Sequence, residues 1–203
     1  MELCFVLAEG QNAFFPELVE AVRDELGGLG VESSVHLDSF PEQEPGRVNV
    51  LVPPHEFFAL RGHAISPDSA PLERTLFVCA EQPRTHFFNL NVQLSARAGA
   101  VFDINPLSAA EMRIHNVKAR PLPLGWTQRW DGTPFDPDRD LDVTFLGCWT
   151  PRRGKALASY APVLSRRRCH IQMSDNSRPN PSQSASFVTA TRSGRCSAAA
   201  RCC

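Results

Sequence analysis

Short apolar runs alternate with helical spacing along the first 125 residues. "LCFVLA" (3–8), "VNVLVPP" (48–54), "RTLFVCAEQP" (74–83) and "AVFDIN" (100–105) are apolar runs of strand length. "ESSVHLDSF" (32–40) is a further strand, and "ARPLPLGW" (119–126) a last extended run. Between them, "FFPELVEAVRDELGGLG" (14–30) puts Leu18, Val19, Val22 and Leu26 on one helical face, with Pro16 in the first turn and glycines at the end. "THFFNLNVQLSARAG" (85–99), closed by Gly99, and "PLSAAEMRIHN" (106–116) predict two more helices. Strands apolar on both sides and separated by helices belong to a parallel sheet covered on both faces. The expected fold class is α/β: over 1–126, a Rossmann-like parallel sheet with helices on both faces. Ligands are expected at the carboxyl ends of its strands.

A polar stretch with prolines and acids, "TQRWDGTPFDPDRDLD", follows, and 127–140 reads as a linker. The pattern then restarts. "LDVTFLG" (141–147) predicts a strand, "TPRRGKALASYAPVLSRRR" (150–168) a loop and helix, and "CHIQMSD" (169–175) a second strand. Residues 141–189 are therefore expected to be the incomplete start of a second α/β domain. A two-stranded parallel sheet leaves its faces and edges bare.

Composition adds exclusions. The 203 residues are 42% hydrophobic and 21% charged, with a net charge of −1. Such a balance implies no general attraction to nucleic acid or acidic membrane. No apolar run approaches the roughly 18 residues of a membrane helix, so no integral membrane segment is expected. The N-terminus lacks the basic region of a signal peptide. Of the seven cysteines, Cys4, Cys79 and Cys148 sit singly in apolar runs and read as buried thiols. The remainder form no C-x-x-C pair, which points to a reducing cytoplasm.

Motif searches remove several classes. No G-x-G-x-x-G follows the first strand, no G-x-x-x-x-G-K-[ST] occurs, and no G-x-S-x-G elbow is present. The acids of a receiver domain are missing, because "EGQN" follows the first strand and "PPHE" the third. The run "DPDRD" (136–140) alternates carboxylates, but Leu141 stands where a calcium loop turns on glycine. No metal is expected there.

The stretch Gly147-Cys148-Trp149-Thr150-Pro151-Arg152-Arg153-Gly154-Lys155 joins a strand to a helix. It resembles the opening of the C-terminal domain in GT-B glycosyltransferases, whose retaining members often carry G-R-x-x-P-x-K-G. Gly147, Pro151 and Gly154 match, Arg153 takes the lysine position, and Cys148 stands where the family has arginine. Cations and helix N-terminal amides suit the charge of a leaving nucleoside diphosphate. Without an anion, Arg152, Arg153 and Lys155 oppose the helix macrodipole. The other reading of this stretch is a solvated basic turn. Across 1–189 the pattern is similar to the bacterial glycosyltransferases related to the spore-maturation protein CgeB.

The resemblance implies transfer of a sugar from a nucleotide sugar to an acceptor without a metal or other cofactor. Acceptor contacts would come from the loops "AEGQN" (8–12), "PPHEFF" (53–58) and "AEQPRTHF" (80–87). Gly10 would let the backbone approach a ligand. His55 or Glu56 would act as a base on a sugar hydroxyl, or form an exposed loop pair. Glu81 would bind substrate, cap a helix or join an ion pair. Gly147, Arg152, Arg153 and Lys155 would hold the donor diphosphate. The alternative function is a non-catalytic Rossmann-like module binding a small molecule or a protein.

The last residues, "ATRSGRCSAAARCC" (190–203), contain no Leu, Ile, Val, Phe or Trp. With G- and C-rich codons, this stretch read one base out of register gives DEKWALLRRRSVL. That segment is an amphipathic helix with acids in its first turn. The expectation is a frameshifted, disordered tail on a truncated and impaired enzyme, with its cysteines carrying no function.

Overall fold

β1 (Glu2–Leu7) runs between β2 (Glu32–Leu37) and β3 (Arg47–Leu51) and is parallel to both. β4 (Thr75–Cys79), β5 (Ala100–Asp103) and β6 (Ala119–Pro121) continue from β3 in chain order, all parallel. The six-stranded order is β2-β1-β3-β4-β5-β6. Strand order reverses between β1 and β3, and in doubly wound sheets ligands bind outside the carboxyl ends at such a reversal. The fold is thus the expected α/β class. The computed structural model describes residues 1–131 and 140–174, and the chain divides into two units, Met1–Thr127 and Gln128–Cys203. Most of the expected linker, the acidic run up to 139, the segment after Ser174 and the tail at 190–203 lie outside the described residues.

Helices cover the first sheet from both sides. α1 (Phe14–Gly28) buries Phe15 and Val19 against Phe5, Leu7, Val50 and Val52. It ends where Gly30 takes a φ of 71°, a left-handed value that glycine adopts without Cβ strain. On the opposite face lie α2 (Pro54–Arg61), α3 (His86–Ser95) and α4 (Pro106–Ile114). Their Phe57, Phe88 and Met112 pack with Val6, Leu51, Phe77 and Val101. Phe57 and Phe77 are fully buried; each such side chain contributes about 1.5–3 kcal/mol of transfer free energy.

Capping sets the starts of these helices. Thr85 Oγ1 accepts from Phe88 N at 3.0 Å and Asn105 Oδ1 from Leu107 N at 3.0 Å. α2 begins with Pro54 at its first position, carries Glu56 in its first turn and ends with Arg61, in accord with the macrodipole. This helix corrects the sequence expectation of a loop over 53–58. Its two prolines read as a strand stop, and its eight residues are too few for a clear 3.6-residue period. The helix expected over 85–99 stops at Ser95. Gly99 serves a different purpose: its N–H donates to Leu72 O and Thr75 O, and a Cβ there would lie 2.5 Å from Glu73 O.

α1 covers only part of its face. Beside it lies a groove of about 180 Å³ lined by apolar side chains, among them Val22, Leu26, Val78, Phe102, Ile104 and Leu124.

In the second unit, β7 (Val143–Cys148) and β8 (Cys169–Ser174) pair in parallel, joined by α5 (Pro151–Leu164). Asp142 Oδ2 accepts from Arg168 N at 2.9 Å, tying the strand entrances together. α5 has no buried residue, so among the described residues this βαβ unit has formed its hydrogen bonds without building a core. No helix among the described residues is long and apolar enough to cross a membrane.

Candidate functional site

The carboxyl ends of β1, β3 and β4 converge on one polar cluster. Gly10 lies in the loop after β1 with a φ of 81°. That turn brings Gln11 back under the strand ends. Gln11 Oε1 accepts from Ala8 N at 2.8 Å, while its Nε2 donates to Val52 O at 3.1 Å. Gln11 is 2% exposed, so one buried amide bridges the two strands at the reversal point.

Two further ties hold this loop. Glu56 Oε2 accepts from Asn12 N at 2.8 Å. Arg61 pairs with Asp38 and donates to Glu9 O at 2.9 Å, while Glu9 N donates to Asp38 Oδ1 at 2.8 Å. Burial pulls the Asp38 carboxyl upward, but the Arg61 and Glu9 donors outweigh it and hold it below its ordinary value. Burial also pushes the Glu56 carboxyl upward. The Asn12 N–H and His55 oppose that shift, and Glu81 adds to it.

His55 sits in the first turn of α2 and is 1% exposed. Its ring packs 5.2 Å from Phe87 and 6.4 Å from Phe15, centroid to centroid. Its Nε2 lies 3.3 Å from Glu81 Oε1, and its Nδ1 lies 3.2 Å from Asn91 Nδ2. Glu81 follows β4, and its side chain is 26% exposed. Its backbone oxygen accepts from Ser108 Oγ at 2.7 Å, which fixes the loop to α4.

Gly10, His55, Glu56 and Glu81 are thus brought together from three loops and helix starts. Their positions differ from the sequence expectation in one respect: His55 and Glu56 are buried helical residues, not an exposed loop pair. Glu81 reaches solvent more than Glu56 does. Glu56 is 7% exposed, and one of its oxygens is committed to Asn12.

A fourth acid lies deeper. Asp103, at the end of β5, is fully buried. Its Oδ1 accepts from Asn105 N at 2.8 Å, and its Oδ2 has no hydrogen-bond partner among the described residues. Burial pushes this carboxyl up to about 7, against the Asn105 hydrogen bond and with Glu81 adding to the rise. Burial also drives the adjacent Cys79 thiol strongly upward, with Asp103 contributing, so Cys79 is an inert core thiol.

Gly147, Arg152, Arg153 and Lys155 lie together in the second unit. Gly147 is in β7, and a Cβ there would meet Arg153 Nη1 at 3.3 Å. Thr150 caps α5, its Oγ1 accepting from Arg153 N at 3.2 Å. The basic residues therefore lie in the first turns of α5, at the helix start that the sequence suggested. Arg152 and Lys155 are exposed and Arg153 is half-buried.

Sequence reasoning missed Gln11, Asn91 and Asp103. Asn91 and Asp103 carry a signal, a polar residue at a core position of an apolar element, whereas Gln11 lies in a polar loop. Asn91 lies on the face of α3 that buries Phe88, Leu94 and Ser95, and Asp103 closes an apolar strand. The apolar groove beside α1 contains none of the polar cluster. Comparison of the chain with protein-family models, curated proteins and solved structures gives no match.

Proposed function

We propose that the protein is a glycosyltransferase that moves a sugar from a nucleotide sugar to a hydroxyl-bearing acceptor. The observation that carries this reading is a division of charge between two α/β units, each built on parallel strands. The first gathers Glu56, Glu81 and Asp103 at its carboxyl edge, with Arg61 occupied by Asp38. The second opens α5 with Arg152, Arg153 and Lys155 directly after Gly147 and β7. Acids suit an acceptor hydroxyl. Cations at a helix start, unfavourable alone, suit a diphosphate.

In this reading Glu81 takes the base role that the sequence offered to His55 or Glu56, because among Glu56, Glu81 and Asp103 it is the most open to a ligand, and Asp38 is taken up by Arg61. The acceptor oxygen forms a bond to the anomeric carbon. The bond from that carbon to the phosphate oxygen breaks, and its electron pair leaves with the nucleoside diphosphate. The hydroxyl proton passes to a Glu81 carboxylate oxygen. His55 and Glu56 shape the site without touching the sugar.

The test is calorimetry and a turnover panel with UDP-, GDP- and TDP-sugars. At least one nucleoside diphosphate should bind, and the double variant R152A/K155A should weaken it tenfold or more. Absence of binding and turnover by the folded protein across the panel would refute the reading. A second reading, a non-catalytic binding module, is favoured by one observation: His55 has both ring nitrogens engaged within the fold.

A further inference from the structure

Asn91 is fully buried in the middle of α3 and touches His55 twice. His55 N lies 3.0 Å from Asn91 Oδ1. A backbone N–H can only donate, so the atom facing it must be the amide oxygen. The Asn91 NH₂ group therefore faces His55 Nδ1. An NH₂ group can only donate, so Nδ1 must present its lone pair. The ring proton is then on Nε2, pointing at Glu81 Oε1 3.3 Å away. Amide orientation thus determines ring tautomer, and ring tautomer determines that a donor faces the Glu81 carboxylate.

The other oxygen of Glu81 is left with open acceptor capacity. Thr85 Oγ1 has a single proton and two acceptors within reach, Gln82 O at 3.0 Å and Glu81 Oε2 at 3.5 Å. The nearer carbonyl takes it. The Phe15 and Phe87 rings beside His55 lower the local polarity and strengthen the hydrogen bonds it makes.

We infer that Asn91 is a positioning residue acting through His55. It locks the Nε2–H tautomer, which holds Glu81 Oε1 and leaves Oε2 with acceptor capacity for a ligand hydroxyl. The assignment of a hydroxyl-bearing ligand rests on the transferase reading; the tautomer lock does not.

The experiment is NMR on the full chain with labelled histidine and glutamate, His55 being assigned through its contacts to Phe87. In the wild-type protein Nε2 should carry the proton and Nδ1 none. Asn91→Asp replaces the donor by an acceptor and should place a proton on Nδ1, shifting the Glu81 carboxyl carbon signal. Asn89→Asp, on the exposed side of the same helix, should change neither. Glu81→Gln should keep the wild-type tautomer, since its amide oxygen still accepts. In the transfer reaction Asn91→Asp should lower kcat tenfold or more, with donor KM within twofold of wild type. A proton on Nδ1 in the wild-type protein would overturn the inference without any variant being needed. So would a Glu81 signal that Asn91→Asp leaves unmoved, or that Asn89→Asp moves equally. If the tautomer stands but no nucleotide sugar is consumed, the transferase reading fails and the positioning role survives.

Discussion

Glu56 Oε2 accepts the Asn12 backbone N–H at 2.8 Å, so the first turn of α2 holds the loop that follows β1. The two residues are 44 positions apart, and their contact lies beside the reversal of strand order. Removing it should loosen the loop before it loosens the sheet. Glu56→Ala should accelerate amide hydrogen exchange at residues 9–13 and cost about 1–3 kcal/mol of overall stability. Glu56→Gln, which keeps an acceptor oxygen, should restore most of the protection.

Asp103 should make the first unit less stable as pH rises. Its folded-state value of about 7 lies above its ordinary 3.8, so the folded form binds the proton more tightly than the unfolded form. Its contribution is then fully present below about pH 4 and is lost as pH rises through about 7. Asp103→Asn, which mimics the protonated form, should gain on the order of 3 kcal/mol over the wild-type protein at pH 8. The two should converge near pH 4 in denaturant titrations at each pH.

Gly99→Ala should destabilise by about 1–3 kcal/mol, as overpacking against fixed backbone does. The added carbon would press on Glu73 O at 2.5 Å, and the same residue's N–H bonds to Leu72 and Thr75 would have to shift with it. A lowered urea midpoint with an unchanged slope would report this. Gly10→Ala should act differently, since nothing lies within 4 Å of a Cβ there. Its cost comes from a φ of 81° and should be about 1 kcal/mol.

Arg152→Glu should separate stability from binding. A carboxylate in the first turn of α5 agrees with the macrodipole and should strengthen the helix start by about 0.3–1 kcal/mol. The same change should abolish nucleoside diphosphate binding. Hydrogen exchange across α5 and calorimetry on one variant measure both. Loss of binding with weaker protection of α5 would mean that the variant had damaged the helix.

The sheet was legible in the sequence because a parallel strand buried on both sides is apolar throughout, and "LCFVLA" or "TLFVC" reads that way in isolation. The site was legible in part, since Gly10, Glu56 and Glu81 lie next to strand ends that the pattern marks. What was not legible depends on pairing across the fold. That His55 is buried follows from Phe15 and Phe87, residues 40 positions before it and 32 after. That Asn91 fixes its ring follows from a hydrogen bond spanning 36 positions. Local spacing carries no record of such contacts. α2 was hidden for the opposite reason, since its eight residues are shorter than the window in which helical spacing declares itself.

The strand order also has a temporal meaning. β1 and β2 pair first, β3 returns to β1, and each later strand adds to the one made just before it. A ribosome would therefore deliver the first unit in the order in which its sheet can grow, always at the same edge. From β3 onward the growing edge waits only for the next stretch of nascent chain, while the outer edge of β2 gains no strand of this sheet; this shortens the time the growing edge is open to a neighbouring polypeptide.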